Sequence, residues 1–351
     1  MRAKHSTQRM DRLKVGIVGC GTVAEKRHAP SYAFNKGCRL AAVMTTKLDR
    51  AMAFSKRFGI PRYYDSLDNF LSEHLDIVSI CTPPSTHASI AISCLRNRSN
   101  VLIEKPMAMN VREAVAMKDE AEKQALKLSV CHNMIFSHSI SFLDELGRRG
   151  KLGSIRSVWV LRTSNMKRAM PGWILTLPGG VFFDELPHML YLLRHLLPDL
   201  EVRNVVASSD RVSRQKPGRI GVSLEGGEAR SALIAADYGC SRDEWLMYVI
   251  AEKATAKVDL FKDTVVLSGG TSGHNPFDVL KASVNEVVQE IGQLFSAGLR
   301  YSFGRQYYGH DKLIRLFVSS VANGADSPVA VEEGLAVVQL QESIVKSMIV
   351  G

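Results

Sequence analysis

Leu13-Lys14-Val15-Gly16-Ile17-Val18-Gly19-Cys20-Gly21-Thr22-Val23-Ala24 reads as a short apolar strand running directly into a glycine-rich turn. The last six residues fit the pattern G-x-G-x-x-G/A. The first glycine lets the chain turn, the second lets backbone approach a pyrophosphate, and a small third residue lets the next helix pack on the strand. That helix would present its unpaired N–H groups to phosphates. The same residues could form a tight turn of purely structural use. Their place, behind a strand and ahead of a helix, favours dinucleotide binding. Gly19, Cys20, Gly21, Thr22, Val23 and Ala24 are therefore candidate cofactor-binding residues.

Strands and helices alternate beyond this turn. Arg39 to Met44 is a strand that ends in Thr45-Thr46-Lys47, with no acid until Asp49. An acid there would bond a ribose 2′-hydroxyl. Two hydroxyls and a cation suit a 2′-phosphate better, so NADP is preferred to NAD as cofactor. If Lys47 is only a solvated residue at a helix start, that preference falls. A helix over Leu48 to Phe58 stops at Gly59, a suitable residue past a helix end. A short helix covers Asp68 to Leu71. Asp76 to Cys81 is a buried strand ended by Thr82-Pro83-Pro84. Ser85-Thr86-His87 opens the next helix with capping residues, and His87 is as readily a helix-start residue as a ligand contact.

Val101-Leu102-Ile103-Glu104-Lys105-Pro106 is a buried strand that runs out into an acid, a base and a proline. The proline ends the strand and keeps Lys105 at its carboxyl end. In an open α/β sheet that is where ligands bind. Val111 to Gln124 is an amphipathic helix, and Leu128 to Cys131 is a last strand ending in His132-Asn133. The alternation predicts an α/β, doubly wound parallel sheet with right-handed crossovers over residues 1–135.

Residues 136–351 have a different texture and predict an α+β domain with an open, mostly antiparallel sheet. A helix covers His138 to Arg149. Strands are expected at Ile155 to Thr163, Val202 to Ser208, Ser231 to Asp237, Trp245 to Glu252, Ala256 to Leu260 and Thr264 to Leu267. Helices are expected at Asp184 to Leu197, Asp278 to Phe295, Gly309 to Ala322 and Glu332 to Met348, the last packing back on the first domain. Ser268 to Pro276 is the expected mobile loop. In Pro178-Gly179-Gly180-Val181-Phe182-Phe183-Asp184-Glu185-Leu186-Pro187-His188, Asp184 and His188 are one helical turn apart. The carboxylate can then orient the imidazole. Pro187 is placed in the first turn, where proline is tolerated. The glycine pair leaves room beside a flat ring. The plainer alternative is a carboxylate serving the helix dipole beside a packed histidine.

The formal net charge of +10 suits an anionic ligand such as a phosphate or sugar nucleotide. The positive charge is scattered and does not alternate with aromatics, so no nucleic-acid partner is expected. None of the six cysteines forms a C-x-x-C pair, a reduced, cytoplasmic pattern. No signal peptide, membrane span or metal site is read.

These residues resemble the glucose–fructose oxidoreductase/inositol dehydrogenase family (Gfo/Idh/MocA). The resemblance rests on Gly19 to Ala24, Thr82-Pro83 with His87, Glu104-Lys105-Pro106, Asn133, Trp173, Gly179-Gly180 with Asp184 and His188, and Pro328-Val329 followed by Glu332-Glu333-Gly334. It implies a dinucleotide lying across the first domain near Thr82, Pro83, His87, Glu104, Lys105, Asn133 and Trp173, and a second domain that often mediates homodimers or homotetramers. It also implies catalytic residues: Lys105 bonding the reacting oxygen, Glu104 helping to hold the site, His188 exchanging the proton and Asp184 as its partner. Hydride transfer at a secondary alcohol needs one such acid–base group near the oxygen. The expected substrate is a sugar, cyclitol or sugar nucleotide. A reductase of an imine or tetrapyrrole-like substrate and a non-catalytic NAD(P)-sensing regulator share the fold. Three departures bear on the substrate side: Tyr191 where most relatives have an acid, Ile174 where many have a base, and Pro178-Gly179-Gly180 in place of a glycine triplet.

Overall fold

The structure is a computed structural model and describes residues 12–165, 169–208, 218–269, 275–302 and 308–350. Its first sheet holds β1 (Leu13–Val18), β2 (Cys38–Met44), β3 (Arg62–Tyr64), β4 (Ile77–Ile80), β5 (Asn100–Ile103) and β6 (Leu128–Val130), in the order β3-β2-β1-β4-β5-β6. Every pairing is parallel. All four residues of β4 are buried, as are Val101, Leu102 and Ile103 of β5. A strand covered on both faces by crossover helices has to be apolar throughout. The strand order reverses between β1 and β4, so the turns after these two strands bound the crevice where such sheets take ligands.

The connecting helices are a π-helical turn Ala24–His28 continuing into α1 (Ala29–Ala33), α2 (Leu48–Phe58), α3 (Leu67–Leu71), α4 (His87–Arg96) and α5 (Val111–Gln124). Helix α2 stops at Gly59, whose φ of 64° is left-handed. Helix α5 starts on a reciprocal cap: the Asn110 side chain accepts from Glu113 N, and the Glu113 carboxylate accepts from Met109 N.

After α6 (His138–Arg148) the second sheet is built from β7 (Ile155–Asn165), β8 (Glu201–Ser208), β9 (Arg219–Gly226), β10 (Arg230–Cys240), β11 (Glu244–Ala251), β12 (Ala254–Asp259) and β13 (Thr264–Gly269). Its order is β13-β12-β11-β7-β10-β9-β8. Only β7 and β10 pair in parallel; the other neighbours are antiparallel. Burial alternates along β11 and β12, so one face packs and the other is open. Helix α7 (Val181–Leu196) covers the packed face, with eleven buried residues. Helix α8 (Pro276–Ser302) lies along the β13 edge.

The last two helices return to the first sheet. From α9 (His310–Asn323), Leu313, Ile314, Phe317 and Val318 join Val15, Ile17 and Leu102 in one core. In α10 (Val331–Val350), Val338 packs with the first sheet's core, while Val337 and Ile344 pack with the second's. No helix of the described residues is long and apolar enough to cross a membrane.

Several local expectations are corrected. Strands β3 and β9 lie where none was read. Thr86 stands at the N-cap of α4 but its side chain makes no capping bond; its hydroxyl lies 2.8 Å from Thr82 Oγ1 and 2.9 Å from Pro83 O. Pro187 lies inside α7, beyond the first turn. Its missing N–H leaves the Phe183 carbonyl without its helical donor, and Gln341 Nε2 of α10 supplies the bond at 2.8 Å. Helix α8 extends past both expected ends. Most of the expected Ser268–Pro276 loop lies outside the described residues.

Candidate active site

The turn after β1 is built for close approach. Gly19 has φ of +98°, and a Cβ there would lie 2.6 Å from the Cys81 carbonyl oxygen, so this turn and the one after β4 touch. A Cβ on Gly21 would meet nothing within 4 Å. The second glycine therefore faces open space, while Ala24 is fully buried against the sheet. Thr82 and Pro83 are partly exposed beside this turn. Thr45 follows β2 directly and is partly exposed, and Thr46 and Lys47 are exposed. Cys20, Thr22 and Val23 lie along the same turn.

Lys105 leaves the end of β5 and points at α7. Its Nζ donates to Asp184 Oδ1 and to the Asp184 carbonyl oxygen, both at 2.9 Å. An ammonium has three protons, so two are held and one remains for a ligand. Gly179 and Gly180, at φ of 80° and 59°, turn the chain into α7 and set Asp184 in its first turn. The predicted pairing is corrected here: Asp184 bonds Lys105, whereas the His188 ring is held by Tyr191. The His188 Nδ1 to Tyr191 Oη distance is 2.6 Å. Tyr191 Oη also accepts from Met134 N at 3.2 Å and lies 3.4 Å from Asn133 Oδ1. The tyrosine can therefore donate to the imidazole, or accept from it while donating to Asn133. Either His188 tautomer is satisfied.

Tyr191 and Ile174 are both buried. They face the core and do not line an open substrate surface, which corrects the expectation that these departures set the substrate side.

Three candidate cofactor contacts also turn inward. His87 is fully buried, with Nδ1 2.8 Å from Pro106 O and Nε2 2.9 Å from Thr82 O. It ties the turn after β4 to the one after β5 and acts on a ligand only through them. Asn133 is buried, with its amide between Tyr308 O and the Tyr191 hydroxyl. Glu104 is buried; its carboxylate is 2.8 Å from His28 Nε2 and 3.6 Å from His310 Nε2. Trp173 is partly buried, packed against Leu177, Phe183 and Val345 alongside Met109.

The sequence reading missed His28, His310, Arg162, Glu185 and the role of Tyr191. Burial works against charge on Glu104, but the bonds to His28 and His310 outweigh it and hold its pKa well below the usual carboxylate range. His28 Nδ1 lies 2.7 Å from Ser79 Oγ. Below α7, Arg162 and Glu185 form a bidentate pair at 2.8 and 3.0 Å, both buried, with the guanidinium against the Trp245 and Phe261 rings. An inward arginine at a period-two core position of β7 is the sequence signal that could have revealed this pair.

Two histidines link this site to pH. Burial lowers the His188 pKa well below its usual value, and the Lys105 charge lowers it further. Burial pushes His132 down to about 3. Both are neutral when folded, whereas an unfolded histidine takes a proton near pH 6.5. Below that pH the unfolded chain binds more protons, so stability falls as pH falls. His132 alone should cost on the order of 2 kcal/mol at pH 5. Melting curves from pH 7.5 to 5 should show a steady drop in Tm, less steep in His132→Asn. A flat Tm would refute the neutral assignment.

A family model described as an oxidoreductase family with an NAD-binding Rossmann fold matches residues 13–132. Over these residues the chain is similar to the Gfo/Idh/MocA oxidoreductases. The D-glucoside 3-dehydrogenase of Escherichia coli is 31% identical over 212 residues, covering 58% of this chain and 60% of that one. The myo-inositol 2-dehydrogenase of Thermotoga maritima is 24% identical over 211 residues, covering 60% and 62%. The matched stretches thus span under two thirds of these relatives. A dehydrogenase from Bordetella pertussis, solved with NADH and UDP-GlcNAcA, superposes with a TM-score of 0.77 at 18% identity, over 96% of this chain and 95% of that one. This chain has the features a dinucleotide needs: the open face at Gly21, the tight Gly19 turn and the crevice between β1 and β4.

Proposed function

We propose that this chain is an NAD(P)-dependent oxidoreductase acting on the CH–OH group or ketone of a sugar, cyclitol or sugar nucleotide. The observation that carries the reading is the Lys105 ammonium, held by two oxygens of Asp184 at the mouth of the parallel sheet, with His188 one turn along α7. The residues from Gly19 to Ala24 would hold the dinucleotide's phosphates. Bound nicotinamide supplies the redox chemistry. Lys105 directs its third N–H at the reacting oxygen and stabilises negative charge there. His188 Nε2 takes or returns the proton, and Tyr191 holds the ring in place at Nδ1 in either tautomer. Tyr191 and Ile174 are buried, so neither gives ground for an apolar, non-sugar pocket. Asp184 fixes Lys105, a role a regulator that only senses cofactor would not require.

The end of β2 favours NADP. Thr46 and Lys47 are exposed there with no carboxylate before Asp49. Tryptophan fluorescence titration should give NADPH at least tenfold tighter binding than NADH, about 1.4 kcal/mol, and Lys47→Glu should reverse the order. Tighter NADH binding by the unaltered protein overturns the preference. Binding of neither overturns the dinucleotide reading. Turnover is then sought with D-glucosides, myo-inositol and UDP-sugars, and activity on none of them counts against the substrate class. The open face of the second sheet, which exposes Trp159 and Leu233, is the proposed contact for a second copy of the chain.

A further inference from the structure

Four side chains with metal-binding atoms meet in the core beside Lys105. They are His28, Glu104, Cys131 and His310, all buried, and one donor atom of each lies within 4.8 Å of every other. Glu104 and Cys131 follow β5 and β6, which pair in parallel, so the two strand ends deliver both residues to one place. His28 closes the π-helical turn after β1, a rare geometry that recurs at functional sites. His310 opens α9.

Bonds behind the donor atoms aim them. Lys105 N donates to Glu104 Oε2 at 3.3 Å, which leaves Oε1 turned to the cluster. His28 Nδ1 lies 2.7 Å from Ser79 Oγ, which leaves Nε2 as the inward atom. A ligating histidine is held in this way through its other nitrogen. From Glu104 Oε1 it is 2.8 Å to His28 Nε2 and 3.6 Å to His310 Nε2, and Cys131 Sγ is 4.0 Å from His28 Nε2. A tetrahedral centre with bonds of about 2.0 to 2.3 Å to nitrogen, oxygen and sulfur sets its donors roughly 3.3 to 3.8 Å apart. The two longer spacings are close to that. The shortest is a hydrogen bond that a metal ion would replace. Hydrogen bonding explains that one contact, but it does not call for a second imidazole and a thiol beside it at looser distances.

We propose that His28, Glu104, Cys131 and His310 bind one Zn²⁺ as a closed structural site. Thiol and imidazole donors select zinc over Mg²⁺ or Ca²⁺, which take oxygen shells. On binding, the Cys131 thiol proton leaves to solvent, together with any proton shared by His28 and Glu104. The thiolate and the carboxylate then balance the two positive charges. No such balance comes from the neighbouring Lys105 ammonium, which is bonded to Asp184. Four protein ligands leave no open position on the ion. It would pin α9 and the turn after β1 to the end of β5, the strand that presents Lys105. The inference stands without the oxidoreductase reading.

The test is metal analysis of the full chain, free of any affinity tag, grown with added Zn²⁺ and desalted before inductively coupled plasma mass spectrometry. The parent should carry one zinc per chain. Cys131→Ala and His310→Ala should each lose most of it, while Cys94→Ala, at a buried cysteine of α4 outside the cluster, should keep it. Growth with Co²⁺ should give the thiolate-to-cobalt absorption of a tetrahedral site. A parent without zinc overturns the proposal, and so does zinc retained by either cluster variant, which marks binding elsewhere on the chain. Should circular dichroism show those variants unfolded, the cobalt spectrum of the parent decides: the charge-transfer band supports the site, and its absence rejects it.

Discussion

Lys105→Met should lower kcat by roughly a thousandfold or more while NADPH affinity changes little. Methionine nearly preserves length and volume but removes the ammonium. What is lost is the donor at the reacting oxygen, a contribution of the size general acid–base and oxyanion-type groups make, about 10² to 10⁴ in rate. A thousandfold is about 4 kcal/mol of transition-state stabilisation. Folding should survive, because Asp184 is not fully buried and its carboxylate can take water in place of the ammonium. Cofactor binding should survive because Lys105 is held by α7 while the phosphates are assigned to the turn after β1. The measurement is steady-state turnover on whichever sugar is found to react, beside a fluorescence titration of the variant. Turnover within tenfold of the parent would remove Lys105 from the chemistry. Equal loss of turnover and cofactor binding would mark it as a fold or cofactor residue.

The parts of this molecule legible in the sequence are those whose signal is local. Gly19 to Ala24 follow a strand at fixed offsets, and Glu104-Lys105-Pro106 sit at the end of an apolar run, so the doubly wound sheet and the position of Lys105 could be read from the chain alone. Strand β3 could not, because only Arg62, Tyr63 and Tyr64 form it and none of them is buried. The hidden part of the site is hidden by sequence distance. His28 meets Glu104 across 76 residues, and Asn133 meets Tyr308 across 175. Nothing near His310 indicates that α9 crosses back to the first sheet. The one-turn spacing of Asp184 and His188 put both on one face of α7, while their grouping with Lys105 came only from the family resemblance. Spacing along a helix says which residues share a face. It does not say that two neighbours on that face prefer each other to a cation from another strand. Nor does an apolar stripe say which way it faces: α8 was read as a helix flanking the sheet, yet its polar side makes the contact.

Glu185→Leu should destabilise the protein by about 3 to 5 kcal/mol, the cost of leaving a buried charge without its partner. Arg162 is fully buried, and Glu185 supplies both oxygens of its bidentate pair. Without Glu185, the guanidinium keeps the carbonyls of Thr163 and Glu244 and the Asp243 carboxylate at 3.7 Å. Those carbonyls carry no net charge, and Asp243 is more exposed than Glu185 and so better screened. At this chain length the loss should lower Tm by about 4 to 7 °C. The double change Arg162→Met/Glu185→Leu should recover most of it, because two apolar side chains of similar size need no counter-charge. Denaturant unfolding of the single and double variants gives the coupling directly. A cost below about 1 kcal/mol for Glu185→Leu alone would show that water already reaches the pair. The pair also bears on the site. Glu185 stands between Asp184 and His188 in sequence but on the sheet-facing side of α7, so it fixes the rotation of the helix that aims both residues at the crevice. The double variant should therefore regain stability before it regains turnover: a packed apolar contact restores burial, but a bidentate bond to Arg162, itself held between Trp245 and Phe261, also sets an angle.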